Sequence, residues 1–184
     1  MSDNQARYVL DNIKVMVIDD NKHMTALVVE ILLALNVRDV VSVSDAAKAF
    51  TELKHFCPDV ILVDWNMQPL DGLDFVRLVR TAKDSPNPFV PIIMLSGYTE
   101  YRRVTEARDA GVNEFLAKPI SAKSIYQRMI SIIDNPRPFI RTKNYFGPCR
   151  RRQDQGPPRG KADRRADEHD DAGQDSASRM QPSG

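Results

Sequence analysis

Four apolar, β-branched runs in this chain each stop on residues that can do chemistry. Ile13-Lys-Val-Met-Val-Ile18 runs into Asp19 and Asp20, and Val60-Ile-Leu-Val63 runs into Asp64. Pro91-Ile-Ile-Met-Leu95 ends on Ser96-Gly97, and Glu114-Phe-Leu-Ala117 ends on Lys118-Pro119. Laid side by side as parallel strands, the runs deliver all these polar groups to one edge, where open α/β sheets hold their sites. Three carboxylates, a hydroxyl and an ammonium gathered there suit a divalent cation and a phosphoryl group.

The segments between the runs have helical periodicity. Met24, Leu27, Val28, Ile31, Leu32 and Leu35 follow i, i+3, i+4, i+7 spacing. Asp45 and Asp71 open a second and a third helix as capping residues, the third with Phe75, Val76 and Val79 on one side. A fourth runs from about Thr99 to Ala110 and stops at Gly111, the residue that most easily takes a left-handed C′ conformation. Ser121 caps a fifth, with Ile125, Met129, Ile132 and Ile133 on one face. Five strands alternating with five helices give an α/β, doubly wound, five-stranded parallel sheet. The strands are apolar almost throughout, as expected where helices cover both faces.

Residues from about Asn12 to Asn135 resemble a response-regulator receiver domain, similar to the chemotaxis regulator of two-component systems. The matching residues are the pair Asp19-Asp20, then Asp64 within Asp64-Trp-Asn-Met-Gln-Pro-Leu-Asp-Gly72, Ser96 and Lys118-Pro119, in the family's order. The resemblance implies a flavodoxin-like fold with strand order 2-1-3-4-5 and a phosphoacceptor at Asp64. A carboxylate can attack phosphorus and form an acyl phosphate, and Mg2+ answers the repulsion between two anions by binding oxygens of both. The resemblance makes Asp19, Asp20, Asp64 and the backbone carbonyl of Asn66 the metal ligands, with Asp20 the direct carboxylate of the pair and Asp19 direct or through water. Lys118 would neutralise phosphoryl charge and Ser96 would hydrogen-bond a phosphoryl oxygen, so that the protein mainly positions groups. Ser96 and Phe115 would form the switch. The implied partners are a sensor histidine kinase or histidine phosphotransfer protein upstream. Downstream, an unidentified protein would meet the face made by the fourth helix, the fifth strand and the fifth helix. A phosphorelay shuttle is an alternative within the same class.

The family commonly has threonine at Ser96 and tyrosine at Phe115; here the hydroxyl is kept and the phenol is lost. Tyr98, two residues after Ser96, suits either a residue that overhangs the site and limits attacking water or an ordinary exposed tyrosine. Blander readings stand beside these: Asp19-Asp20 as a helix cap, Asp64 as a loop acid, Phe115 as a plain core residue. A phosphatase of the haloacid-dehalogenase type also uses aspartate and magnesium. It needs Asp-x-Asp after its first strand, whereas Asp19 and Asp20 are adjacent. Cys57 and Cys149 are too few for a metal site or disulfide framework, and Cys57 reads as a buried thiol in a reducing cytoplasm. His23, His55 and His169 form no ligand cluster.

The net charge of +1 hides an asymmetry: residues 1–135 carry −3 and residues 136–184 carry +4. From Gly147 onward there is no Val, Ile, Leu, Phe, Tyr or Trp, so that part cannot bury enough surface to offset chain entropy. The expected division is a short segment 1–11, a folded domain 12–135 and a basic, disordered tail 136–184. Between Pro136 and Arg152 aromatics and cations interleave without an acid, which suits a docking motif, a solvated linker or a weak nucleic-acid contact. No helix-turn-helix pattern accompanies it, so nucleic acid is a secondary expectation. The polar start and the interruption of the longest apolar stretch by Glu30 point to a cytoplasmic protein without a membrane span.

Overall fold

Asp45, Asp71 and Ser121 each accept hydrogen bonds from the first turn of the helix they open, and these caps fix where the sheet's crossovers begin. The computed structural model describes residues 10–97, 101–143 and 145–150. Strands β1 (Lys14–Ile18), β2 (Asp39–Val43), β3 (Val60–Asp64), β4 (Ile92–Ser96) and β5 (Glu114–Ala117) alternate with five helices. These are α1 (Lys22–Ala34), α2 (Ala46–Phe56), α3 (Gly72–Thr81), α4 (Tyr101–Ala110) and α5 (Ala122–Asp134). The strands pair in parallel in the order β2-β1-β3-β4-β5, which puts β3 at the centre.

Alternation along the strands divides the core in two. Met16, Ile18, Ile61, Val63, Ile92 and Met94 face α2, α3 and α4, while Val15, Val17, Leu62, Ile93, Leu95 and Leu116 face α1 and α5. Each fully buried side chain of this size contributes roughly 1.5–3 kcal/mol, so the sheet rather than any one helix holds the site's framework. The outer strand β2 departs from the both-faces-covered expectation, since Asp39 and Ser42 are exposed. On α1 the apolar stripe is wider than the surface it covers, leaving Leu27 42 % exposed. Among the described residues no helix is long and apolar enough to cross a membrane.

Three expectations change. Leu10 is 1 % exposed and belongs to the core, so the domain begins before Asn12. Cys57 is exposed: it sits at the C-cap of α2 with φ 48°, where the backbone turns away and the buried Pro58 takes the inward place. The folded domain also does not stop at Asn135. Two further strands, β6 (Phe139–Thr142) and β7 (Tyr145–Pro148), form an antiparallel hairpin, and the compact unit extends to Arg150.

The hairpin has a built seat. Phe139 and Phe146 each meet Phe89 edge-on with centroids 5.2 Å apart. Arg80, 3 % exposed at the end of α3, stacks its guanidinium 5.1 Å from the centre of Phe139. Its Nε donates to the Gly111 carbonyl at 3.1 Å, Nη1 to the Pro88 carbonyl at 2.7 Å and Nη2 to Asn113 Oδ1 at 3.0 Å. Burial pulls this guanidinium down to about 9, which still leaves it charged at neutral pH. A Cβ on Gly147 would come within 2.9 Å of Gly111 Cα, so β7 rests backbone to backbone on the turn after α4. The expected helix start at Thr99, the reading of Tyr98, and the tail from residue 151 onward lie outside the described residues.

Candidate functional site

The polar groups named from the sequence emerge at the carboxyl edge of the sheet, each set by the strand that precedes it. Asp19 and Asp20 follow β1, Asp64 closes β3, Ser96 closes β4 and Lys118 follows β5. Parallel register brings Asp64 beside Leu95 and Ser96 beside Ala117, so Ser96 ends the strand lying between Asp64 and Lys118.

Asp64 is 5 % exposed; its Oδ1 lies 2.8 Å from Lys118 Nζ and its Oδ2 accepts the Asn66 N–H at 3.1 Å. Asp19 is 1 % exposed, and its Oδ1 accepts the Asn21 N–H at 2.8 Å. Its Oδ2, 3.7 Å from Lys118 Nζ, has no hydrogen-bond partner among the described residues. Burial pushes the Asp19 carboxyl above its ordinary 3.8; the Asn21 amide and Lys118 pull against this, while Asp64 and Asp20 add to the rise. Asp20 is exposed, and its Oδ2 accepts the Gln68 N–H at 3.3 Å. Ser96 is 1 % exposed, and its carbonyl accepts the Lys118 N–H at 2.8 Å, which ties β4 to the lysine's backbone. The Lys118-Pro119 peptide is cis, as is Gln68-Pro69. Phe115 is half-buried beside the core, paired in register with Met94.

Among the described residues no three His, Cys, Asp or Glu side chains are gathered tightly enough to cage a metal ion. Magnesium does not need such a cage, because it usually takes one or two carboxylates and completes its shell with phosphate oxygens and water. The buried Asp19 Oδ2, which accepts no hydrogen bond among the described residues and has only the Lys118 ammonium at 3.7 Å, is the atom that fits a hard cation. An unpaired buried acceptor of this kind costs about 1–3 kcal/mol, which a cation would relieve.

Four supporting residues had no role assigned from the sequence. Asn21 caps α1 with its side chain and holds Asp19 with its backbone; a capping residue directly after an acid pair is a readable signal. Gln68 holds Asp20 through its N–H. At Gly72 a Cβ would overlap the Asp64 carbonyl oxygen, so only glycine lets α3 start this close. Arg103 on α4 places its guanidinium 5.3 Å from the ring centre of Trp65, a long-range contact without a sequence signature.

A family profile for the response regulator receiver domain matches residues 15–130. The chemotaxis protein CheY-3 of Vibrio cholerae is 27% identical over 123 residues, covering 67% of this chain and 93% of that protein. Helicobacter pylori CheY1 is 31% identical over 117 residues, covering 63% and 93%. The solved structure of V. cholerae CheY4 superimposes with a TM-score of 0.60 at 26% identity, covering 65% of this chain and 98% of that one. With the 2-1-3-4-5 sheet and its acidic edge already established, this match says that the chain belongs to the response regulator receiver domain family, the phosphoacceptor switches of two-component signal transduction.

Proposed function

We propose that Asp64 is the residue that takes the phosphoryl group. The observation that carries this is its setting at the end of the central strand, nearly buried, with the Lys118 ammonium 2.8 Å from Oδ1. Lys118 and the Asn66 N–H restrain the carboxylate without consuming all its lone pairs, so one remains for attack on phosphorus. Attack forms the O–P bond of an acyl phosphate as the bond from phosphorus to the donor nitrogen of a phosphohistidine breaks. Asp19, Asp20, Asp64 and the Asn66 carbonyl would hold Mg2+, which when bound supplies positive charge to the oxygens of both reacting anions. Lys118 follows the charge from the carboxylate to a phosphoryl oxygen, and Ser96, ending the neighbouring strand, donates its hydroxyl to another.

The donor is a sensor histidine kinase or a histidine phosphotransfer protein in the cytoplasm, and the chain catalyses only its own phosphorylation and slow hydrolysis. Movement of Ser96 toward the phosphate draws Phe115 inward and shifts the α4-β5-α5 face toward the form that binds its downstream protein. With a small acyl-phosphate donor and magnesium, the wild-type chain should acquire a single base-labile phosphate and Asp64→Asn none. Equal labelling of Asp64→Asn removes the assignment.

A further inference from the structure

We propose that the β6-β7 hairpin is a brace on the C-terminal end of α4 that holds the α4-β5-α5 face in its resting position; this rests on Asp64 being the phosphoacceptor and on that face carrying its output. One side of the hairpin is anchored away from α4. Phe139 and Phe146 meet Phe89, in the loop before β4, and the Arg80 guanidinium at the end of α3 stacks on Phe139. The other side reaches α4, since β7 packs against both α3 and α4. Gly111, with φ 105°, follows the last residue of α4, and a Cβ there would come within 3.3 Å of the Phe146 carbonyl oxygen. Asp109 Oδ1, in the last turn of α4, pairs with Arg150 Nε at 3.4 Å. Arg80 closes the same joint from α3, donating to the Gly111 carbonyl and to Asn113 Oδ1, which also accepts the Ile92 N–H at 3.0 Å. The hairpin is tied within itself as well. The Cys149 N–H donates to the Pro138 carbonyl at 2.8 Å, and the Arg150 guanidinium lies 4.1 Å from the centre of the Tyr145 ring.

Bracing matters because α4 has little else to seat it. Its buried residues are Ala107 and Ala110, whose methyl groups remove little apolar area from water. Tyr101 is 83 % exposed and Val104 36 %, so neither anchors the helix. A helix seated on two alanines shifts at small cost, and the contacts at Asp109 and Gly111 are the ones it must break when its end moves. The phosphoryl group and the docked hairpin therefore oppose each other. Linkage makes the opposition mutual: the hairpin weakens the phosphoryl-bound form by the same factor by which that form loosens the hairpin.

The full chain with beryllium fluoride and magnesium, a mimic of the phosphoryl group on Asp64, tests both directions. With the mimic bound, the amides of β6 and β7 should exchange with deuterium about fivefold faster or more. Gly147→Ala, whose added methyl would meet Gly111 Cα at 2.9 Å and the Tyr145 hydroxyl at 2.6 Å, should lift β7 off the end of α4. It should bind the mimic about fivefold more tightly than wild type, read from the emission of Trp65, the sole tryptophan and the neighbour of Asp64. General loosening would not tighten binding, because destabilisation common to both positions of α4 leaves their ratio unchanged. Hairpin exchange that the mimic leaves unchanged or slows overturns the brace, and so does mimic binding by Gly147→Ala equal to or weaker than that of wild type. Labelling of Asp64→Asn at the wild-type level by a small acyl-phosphate donor, run alongside, would take down the proposed function and this inference with it. Wild-type labelling that vanishes in Asp64→Asn leaves exchange and affinity to decide on the hairpin alone.

Discussion

Lys118 reaches past the end of β4 to sit 2.8 Å from Asp64 Oδ1 while standing 3.7 Å from Asp19 Oδ2, so the ammonium belongs to Asp64 first. In the resting site one cation thus partly compensates two nearly buried carboxylates. Lys118→Ala should leave magnesium binding intact or tighter, since it removes a competing positive charge, but slow phosphorylation by about a hundredfold. Trp65 fluorescence during a magnesium titration checks the first part and phosphate incorporation the second. Asp20→Ala should weaken the titration by about tenfold or more, because on the proposed ligand set it removes a direct carboxylate; an unchanged curve would remove Asp20 from that set.

Asp19→Asn tests the cost of a buried Oδ2 that accepts no hydrogen bond among the described residues. Without magnesium the neutral side chain should raise stability by about 1 kcal/mol, a rise of about 2–4 °C in melting midpoint for a domain of this size. With saturating magnesium the order should reverse, as wild type gains from binding and the variant does not. Parallel melting curves for the two proteins in both conditions would show that Asp19 is not a ligand.

Ser96→Ala should keep much of the phosphorylation yet lose most of the response at a distance. Wild type bound to a phosphoryl mimic should show NMR shifts at Tyr101 and Arg102 on the exposed side of α4, and the variant should show shifts confined to the Asp64 pocket. Remote shifts of equal size in both would separate Ser96 from the switch.

The hairpin should add measurably to stability. Phe139→Ala removes the ring that meets both Phe89 and Arg80 and should cost about 3 kcal/mol, or roughly 6–12 °C. Ending the chain after Asn135 should cost at least as much, while any folded fraction should still accept phosphate, because the seat lies away from the carboxyl edge. Thermal melts of both variants measure the first claim and phosphate incorporation the second.

Tyr145 makes that seat sensitive to alkaline pH. Its hydroxyl donates to the Pro148 carbonyl at 2.8 Å. Burial raises the phenol above its ordinary 10, against the lowering influence of Arg150, Arg137 and Arg80. A folded-state value above the unfolded one means the fold favours the neutral phenol, so the contribution is complete below 10 and is lost as pH climbs through the raised value. Tyr145→Phe should be less stable than wild type by about 0.5–1.5 kcal/mol below pH 10, and the gap should close above it. A gap constant across that range would mean the phenol does not titrate with the fold.

The receiver framework was legible because its signals are local. Apolar runs of strand length, caps at Asp45, Asp71 and Ser121, and a glycine after Ala110 each act within a few residues, and parallel pairing then aligns the strand ends by itself. The supporting contacts were less so. Nothing near Trp65 announces Arg103, and nothing near Phe139 announces Phe89 or Arg80, because these pairs exist only after the sheet has formed. The hairpin strands are short and flanked by the cations Arg137, Lys143 and Arg150, and Lys143-Asn144 lacks the glycine that marks a tight hairpin turn, so local pattern favoured a loose tail. Cys57 misled for a related reason: apolar neighbours suggest burial, but one left-handed residue redirects the chain.

Arg80 carries a buried charge without a carboxylate partner among the described residues, sheltered by three oxygen acceptors and the face of Phe139. The arginine and the hairpin are therefore a joint inheritance. A descendant that sheds residues beyond α5 keeps a guanidinium whose aromatic cover is gone, and selection would favour an apolar residue in its place. A descendant that first loses the arginine strips the hairpin of its mooring. Where a receiver ends at its fifth helix, a guanidinium at the end of α3 would keep its three oxygen acceptors and lose only its aromatic cover.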